Sequence, residues 1–224
     1  MKDKFSIAID GPAGAGKSTI AKNVSKELGV IYVDTGAMYR AMALYMIREG
    51  IDAEDAAGIS AKCKSADISI AFIDGVQQVL LNGENVSGLI RTEEVSAMAS
   101  KSSVNADVRE KLVELQRKLA SEKSVVMDGR DIGTVVLPDA DVKIYLTASS
   151  AVRAKRRYDE LIAKGEKCDL ARIEADIIER DHRDMTREIS PLRQAEDAVL
   201  VDTSEMNIEE VTDKLLSIVK EKCG

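Results

Sequence analysis

Gly11 to Thr19 read GPAGAGKST, and Gly11, Gly16, Lys17 and Ser18 fall on the fixed positions of the pattern G-x-x-x-x-G-K-[ST]. That spacing suits one kind of chemistry. Glycines let backbone N–H groups close round phosphate oxygens, and a helix starting beside them points the positive end of its dipole at the same anion. Lys17 then reaches the β- and γ-phosphates of a nucleoside triphosphate, and Ser18 meets its Mg²⁺. An ordinary glycine-rich strand-to-helix turn is the competing reading. The apolar run Ser6-Ile7-Ala8-Ile9-Asp10 before the loop and the helical pattern after it favour phosphate binding.

Three further groups of residues carry charge where a ligand would want it. Asp128-Gly129-Arg130-Asp131 follows the apolar run Ser124-Val125-Val126-Met127, so three charges cluster at a strand's carboxyl end. In open parallel sheets ligands collect beyond those ends, which favours a site over a merely charged turn. Arg40 lies within one turn of another strand end and is equally readable as a grip on a second anion or as a surface arginine. Late in the chain, Arg180, Asp184 and Arg187 recur at i, i+4 and i+7, one face of a helix. The acids Asp159, Glu160, Glu174, Asp176, Glu179 and Asp181 are interleaved with these and with Arg153, Lys155, Arg156 and Arg157. A salt-bridged solvent face would explain them. So would a mobile cover that brings arginines onto a transferring phosphate.

The elements that position these residues follow from periodicity. Strands are expected at about Phe5 to Asp10, Val30 to Asp34, Ser124 to Met127, Val142 to Leu146 and Val199 to Asp202, with helices between them. Strand, helix, strand implies parallel pairing with crossover connections. The first helix runs from Lys17 to about Leu28 and stops at Gly29; the next ends at Gly50. Between them and the third strand the pattern changes. Ile68 to Ile73, Asp74-Gly75, Val76 to Leu81 and Asn82-Gly83 read as short antiparallel strands joined by tight turns. A polar helix from Thr92 to about Ser102 follows, then a stronger one from Ala106 to about Ser121 with Val108, Leu112, Leu115 and Leu119 on one face. By composition Ser100 and Arg109 face solvent. Two charged helices, broken near Gly165, run from Ser149 or Ser150 toward Arg187; Asn207 with Glu210 then resembles a capping box for a closing helix. The expected fold is α/β: a five-stranded parallel sheet with a phosphate loop, flanking helices, an inserted antiparallel lobe and a helical lid.

Composition narrows the function. A 224-residue chain can bury a core of its own, and one domain with insertions is the economical arrangement. We expect a core of residues 1–62, 104–148 and 195–224, an inserted lobe at 63–103, and lid helices at 149–194. Lys plus Arg number 32 against 39 Asp plus Glu, a net charge of −7, which argues against a general nucleic-acid surface. No run approaches membrane-spanning length, and the N-terminus lacks the pattern of a signal peptide, so a cytoplasmic protein is expected. Cys63, Cys168 and Cys223 fit neither a disulfide framework nor zinc spacing. With His182 the only histidine, the sequence argues against a His-based metal site or a Ser-His-Asp triad in a single chain.

Taken together, GPAGAGKST, DTGAMYR at Asp34 to Arg40, DGRDIGT at Asp128 to Thr134 and ERDHRDMTR at Glu179 to Arg187 resemble the bacterial cytidylate kinase family, in order and spacing across nearly the whole chain. The resemblance implies transfer of the γ-phosphoryl of ATP to CMP or dCMP with Mg²⁺, UMP being a poorer acceptor. It implies ATP binding by Gly11, Pro12, Ala13, Gly14, Ala15, Gly16, Lys17, Ser18 and Thr19, with Ser18 on the metal. It implies acceptor-phosphate contacts from Thr35, Arg40, Arg130 and Arg187, base contacts from Ser100, Arg109 and Asp131, and sugar contacts from Tyr39, Arg180 and Asp184. Lys17, Arg130, Arg157 and Arg187 are the catalytic cations it implies. Similar enzymes often carry serine at the position of Thr35, which keeps the hydroxyl; His182 and Met185 inherit no role. No nucleic acid, membrane or second subunit is expected. The rival readings are a kinase of the same scaffold acting on AMP, UMP or shikimate, and a nucleotide-gated binding module. The latter expects an N-K-x-D element, which does not occur.

Overall fold

The computed structural model describes residues 4–73 and 76–224. Strand β1 (Ser6–Asp10) buries Ile7, Ala8 and Ile9 completely. A strand apolar on both faces belongs in the middle of a covered parallel sheet. The five-stranded sheet has the order β2-β6-β1-β7-β8, with β2 at Ile31–Asp34, β6 at Val125–Gly129, β7 at Val142–Thr147 and β8 at Val199–Asp202. β6 and β7 flank β1 in parallel, setting Ile9 opposite Asp128 and Asp10 opposite Tyr145. β8 continues in parallel beside β7. The register sets two aspartates, Asp10 and Asp128, at one end of neighbouring strands.

The described residues up to Val30 form one compact unit with Ser124–Gly224; Ile31–Lys123 form another. In the first unit α1 (Lys17–Leu28) packs on β1, β6 and the closing helix α8 (Ile208–Cys223). The anticipated capping box on α8 is present: the Glu210 N–H donates to Asn207 Oδ1 at 3.0 Å and the Asn207 N–H to Glu210 Oε2 at 2.8 Å. α6 (Ser150–Ala163) and α7 (Leu170–Thr186) pack on each other, started by the side chains of Ser149 and Asp169. One expectation needs correcting here. α7 ends at Thr186, and Arg187 has extended backbone, φ −59° and ψ 141°, so it does not share a helical face with Arg180 and Asp184. Its Nε is instead drawn to the Ser190 carbonyl at 2.7 Å.

The second unit contains β2, α2 (Thr35–Arg48), α3 (Ala56–Cys63), β3 (Ile68–Ile73), β4 (Val76–Leu81), β5 (Glu84–Asn85), α4 (Glu93–Ser102) and α5 (Ala106–Glu122). The order β3-β4-β5 is an antiparallel sheet, and all of 63–103 lies within this unit. Asn82 and Gly83 turn β4 into β5 with φ 50° and 82°, the backbone an Asn-Gly hairpin turn requires. The Asp74-Gly75 turn read from the sequence lies outside the described residues. α5 buries Val108, Arg109, Leu112, Val113 and Gln116. Leu115 and Leu119 are only half-buried, so the buried stripe is rotated from the one traced through the leucines. Arg109, read as solvent-facing, is 5% exposed, because its aliphatic stem can lie in that stripe while its head finds a partner. Among the described residues no helix is long and apolar enough to cross a membrane.

Candidate active site

β1 delivers the chain into the glycine loop, and two glycines are required by geometry. Gly11 has φ +150°, and any Cβ there would collide with the Leu146 carbonyl oxygen of β7. Gly16, at φ +87°, precedes α1 with no side-chain cap, so the helix's first N–H groups are offered to an anion rather than to a neighbouring side chain. Lys17 is 6% exposed and donates from Nζ to the Pro12 carbonyl at 2.7 Å. Burial, and next Arg130, bring its pKa down to about 7; Asp128 and Asp10 pull the other way and Arg180 adds to the lowering. An ammonium held in such surroundings gains strongly from a polyanion.

The Ser18 hydroxyl donates to Asp128 Oδ2 at 2.9 Å. A hydroxyl beside a carboxylate at the head of a phosphate loop is a hard-oxygen donor pair that fits Mg²⁺ arriving with a nucleotide. Among the described residues there is no cluster of three or more His, Cys, Asp or Glu able to hold a metal alone.

Beyond the end of β6, Arg130 Nε donates to Asp184 Oδ2 at 2.8 Å. Burial works against charge on Asp184, but Arg130, then Arg180 and Arg187, hold its carboxyl below the usual range. Arg187 also lies 3.9 Å from Asp131, with both side chains under 10% exposed. Arg130, Asp131, Arg180, Asp184 and Arg187 are thus one charge cluster of the first unit, with arginines outnumbering carboxylates. Arg157 stands apart on the exposed face of α6, paired with Glu160 at 2.9 Å. Arg153 is different again: Nε meets the Ala148 carbonyl, Nη1 the Ala13 carbonyl inside the phosphate loop, and Nη2 Asp181 at 2.6 Å. It is a strut from α6 to the loop and to α7.

The second unit carries its own set. Asp34 caps α2, accepting from the Ala37 N–H at 2.9 Å through Oδ1, while Oδ2 lies 3.4 Å from Arg40 and 3.6 Å from Arg91. Gln77 of β4 fixes the Asp34 backbone from both sides, by accepting from its N–H and donating to its carbonyl. Thr35 is buried; the Arg109 guanidinium lies 5.8 Å from the centroid of the Tyr39 ring, and Ser100 is half-buried on α4.

Sequence reasoning passed over Asp10, Asp34 and Arg91 as site members, and marked Asp128 only as one of the charges at the end of its strand, with no ligand assigned to it. A signal existed for the three aspartates: each ends an otherwise apolar strand, in SIAID, VVMD and IYVD. Nothing marked Arg91, which lies outside regular structure.

Comparison with known proteins supplies the rest. A family described as cytidylate kinase matches residues 7–221. A cytidylate kinase of Carboxydothermus hydrogenoformans is 51% identical over 216 residues, covering 96% of this chain and 97% of the relative. One from Caldicellulosiruptor saccharolyticus is 50% identical over 221 residues, covering 99% and 98%. In fold the chain is similar to a gluconokinase from Sinorhizobium meliloti (TM-score 0.52, 14% identity, covering 99% and 94%) and to a shikimate kinase from Bacteroides thetaiotaomicron (TM-score 0.51, 13% identity, covering 96% and 98%).

Proposed function

Since the chain belongs to the cytidylate kinase family, and so is a nucleoside monophosphate kinase, we propose that it moves the γ-phosphoryl of ATP onto CMP or dCMP, as a cytoplasmic monomer. The observation that carries the reading is the excess of arginine in the first unit. Arg130, Arg180 and Arg187 all act on the single carboxylate of Asp184, with Lys17 close enough to feel two of them. Such a cluster suits a triphosphate and a second phosphate ester together.

Phosphoryl transfer asks little covalent help of a protein; alignment and charge stabilisation do the work. A nucleoside monophosphate, with a second pKa of about 6, is mostly dianionic at neutral pH and is already a nucleophile. No general base is needed. Gly11 to Thr19 hold the donor's phosphates, and Lys17 stabilises charge on the moving group. Ser18 and Asp128 would hold Mg²⁺, which would supply neutralising charge to the donor phosphates. Thr35, Arg40, Arg130 and Arg187 grip the acceptor phosphate; bidentate guanidinium forks suit its oxygens. Tyr39, Arg180 and Asp184 hold the sugar. Arg157 is proposed as a lid cation: an exposed pair with Glu160 is weak, so Arg157 can be surrendered to a phosphate.

Cytosine offers an exocyclic amino donor and a ring acceptor. The Asp131 carboxylate takes the first and Arg109 gives to the second, with Ser100 assisting. Uracil would turn an oxygen toward the carboxylate and leave buried polar groups unpaired, so UMP is the weaker substrate. A coupled assay of ADP formation with CMP, dCMP, UMP, AMP, GMP and shikimate tests this. CMP and dCMP should lead, with UMP well behind; a preference for AMP or shikimate would sink the acceptor assignment.

A further inference from the structure

Asp10 ends β1 one residue before the phosphate loop and is 5% exposed. Its two carboxylate oxygens accept from two consecutive backbone N–H groups: Oδ1 from Ile132 at 2.8 Å and Oδ2 from Gly133 at 2.7 Å. Those groups open a single π-type turn, Ile132–Val136, in which the Asp131 carbonyl accepts from both Val135 and Val136 and the Ile132 carbonyl from Leu137. The first N–H groups of a helical turn have no partner inside it, and the preceding residue commonly supplies one with its own side chain. Here that residue is Asp131, a type well suited to the task. It makes no such bond; its carboxylate is turned toward Arg187.

We propose that Asp10 is a positioning residue for acceptor recognition: it caps from across the sheet the turn that Asp131 would otherwise cap itself, and so keeps the Asp131 carboxylate directed at the acceptor base. The inference rests on the reading of Asp131 as the cytosine contact. Only a carboxylate presents two acceptors to two adjacent donors at this reach. Asparagine would offer one acceptor and push an amide N–H against the other backbone N–H. The two bonds also fix the donor loop and the acceptor reader to one another, because β1 runs into Gly11 directly after Asp10. A buried carboxylate is costly to maintain, and burial raises the Asp10 pKa to about 6 although both backbone bonds oppose this. A residue kept ionised against that cost at neutral pH is consistent with a task only the ion performs.

The test is steady-state kinetics on Asp10→Asn, Gly133→Ala and Asp131→Ala with CMP and UMP as acceptors, ATP binding and thermal unfolding serving as checks on the fold. A Cβ on Gly133 would press on the Lys143 side chain at 3.2 Å and reach Asp10 Oδ2 at 3.4 Å, an ordinary contact, so it perturbs the surroundings of the clamp mildly and changes no charge. Asp10→Asn should raise KM for CMP about tenfold and lower the CMP-to-UMP ratio of kcat/KM about tenfold, with KM for ATP moving less than about threefold. Gly133→Ala should shift the same quantities in the same direction by less. Should Asp131→Ala lose the CMP preference while the two clamp variants keep it, the inference falls and the cytosine reading stands. If Asp131→Ala itself keeps the preference, the reading falls and takes the inference with it. Equal losses toward ATP and CMP in the clamp variants would make Asp10 a support of the fold only and overturn the proposal. Where Asp10→Asn does not fold, Gly133→Ala decides by the same criteria.

Discussion

Arg153 in the first unit and Arg91 in the second are both arginines beside an aspartate, yet the first is 6% exposed and bonded to Asp181 at 2.6 Å, while the second is 65% exposed and 3.6 Å from Asp34. The contrast extends to their neighbours. Lys17, Asp10, Asp128 and Arg153 are all buried and within 3 Å of fixed partners. In the second unit Arg40 and Arg91 share a single oxygen of Asp34 at distances too long for strong bonds. Dipoles and charges fixed before the reaction lower the cost of stabilising a transition state. A grip on an acceptor must instead form and release at every turnover, which a shared, loosely held carboxylate permits. On the roles proposed above, charge is fixed in advance beside the phosphate loop and held loosely around Asp34.

The largest effect expected from this contrast is on stability. Arg153→Ala would leave the Asp181 carboxylate, which already has one buried oxygen with no hydrogen-bond partner, without its cation, and would free the Ala13 carbonyl. Breaking a buried pair from one side costs about 3–5 kcal/mol. Urea unfolding should show a loss of that size. Arg153→Met combined with Asp181→Leu should recover most of it, because no buried charge then remains unpaired. A loss below about 1 kcal/mol for Arg153→Ala would mean that the first unit's charges are solvated after all, and would erase the contrast.

How much of this was legible in the sequence depends on the distance over which each feature is determined. The phosphate loop, the parallel strands and the Asn207–Glu210 box are set by residues within a few positions of one another, and all are found where the spacing puts them. The π-type turn after Asp131 has no local signature. It is held by Asp10, 122 positions away, and only the β1–β6 register brings the two together. Arg109 was misread because composition assigns arginine to solvent, whereas its burial depends on the Tyr39 ring on another helix. Arg187 was placed on a helix that stops one residue short of it: its N–H still bonds to the Arg183 carbonyl, but its backbone turns extended, which periodicity does not register. Motif matching named Asp131 and Asp184 but assigned nothing to Asp34, which faces Arg40, or to Asp10, which holds the turn after Asp131.

A smaller effect, confined to a pH window, tests whether the first unit's charges are buried at a cost. Asp10 has its folded pKa raised from 3.8 to about 6, chiefly by burial. The folded chain therefore holds a proton there more tightly than the unfolded chain does. That contribution to stability is fully present below about pH 4, is lost as pH rises through about 6, and is absent above. At about 1.4 kcal/mol per pH unit it amounts to at most roughly 3 kcal/mol. Unfolding free energies of the parent and of Asp10→Asn, measured from pH 4 to 8, should show the difference, parent minus variant, falling from about pH 4 through 6 and on to about 7, where Lys17, which Asp10 helps keep charged, also gives up its proton. Terms common to both proteins, such as titration of Asp184, cancel. A difference that rose with pH would mean Asp10 is better solvated, or better paired, than its burial implies.

The smallest effect belongs to Arg91, and it bears most directly on the second unit. Its guanidinium is 65% exposed and shares Asp34 Oδ2 with Arg40, so its removal leaves the carboxylate one cation and its cap on α2. Exposed pairs of this kind contribute about 0–1 kcal/mol, and charges within reach of solvent are screened over about 8–10 Å at ordinary ionic strength. Arg91→Ala should thus lower the unfolding free energy by less than about 1 kcal/mol, and raising the salt concentration should shrink even that. The loss in Arg153→Ala should persist in the same salt series, because a desolvated pair is shielded little by ions it never meets. If the two variants respond to salt alike, exposure has ceased to distinguish the units, and the looseness of the Arg40–Asp34–Arg91 set cannot be what fits it to seize and release an acceptor.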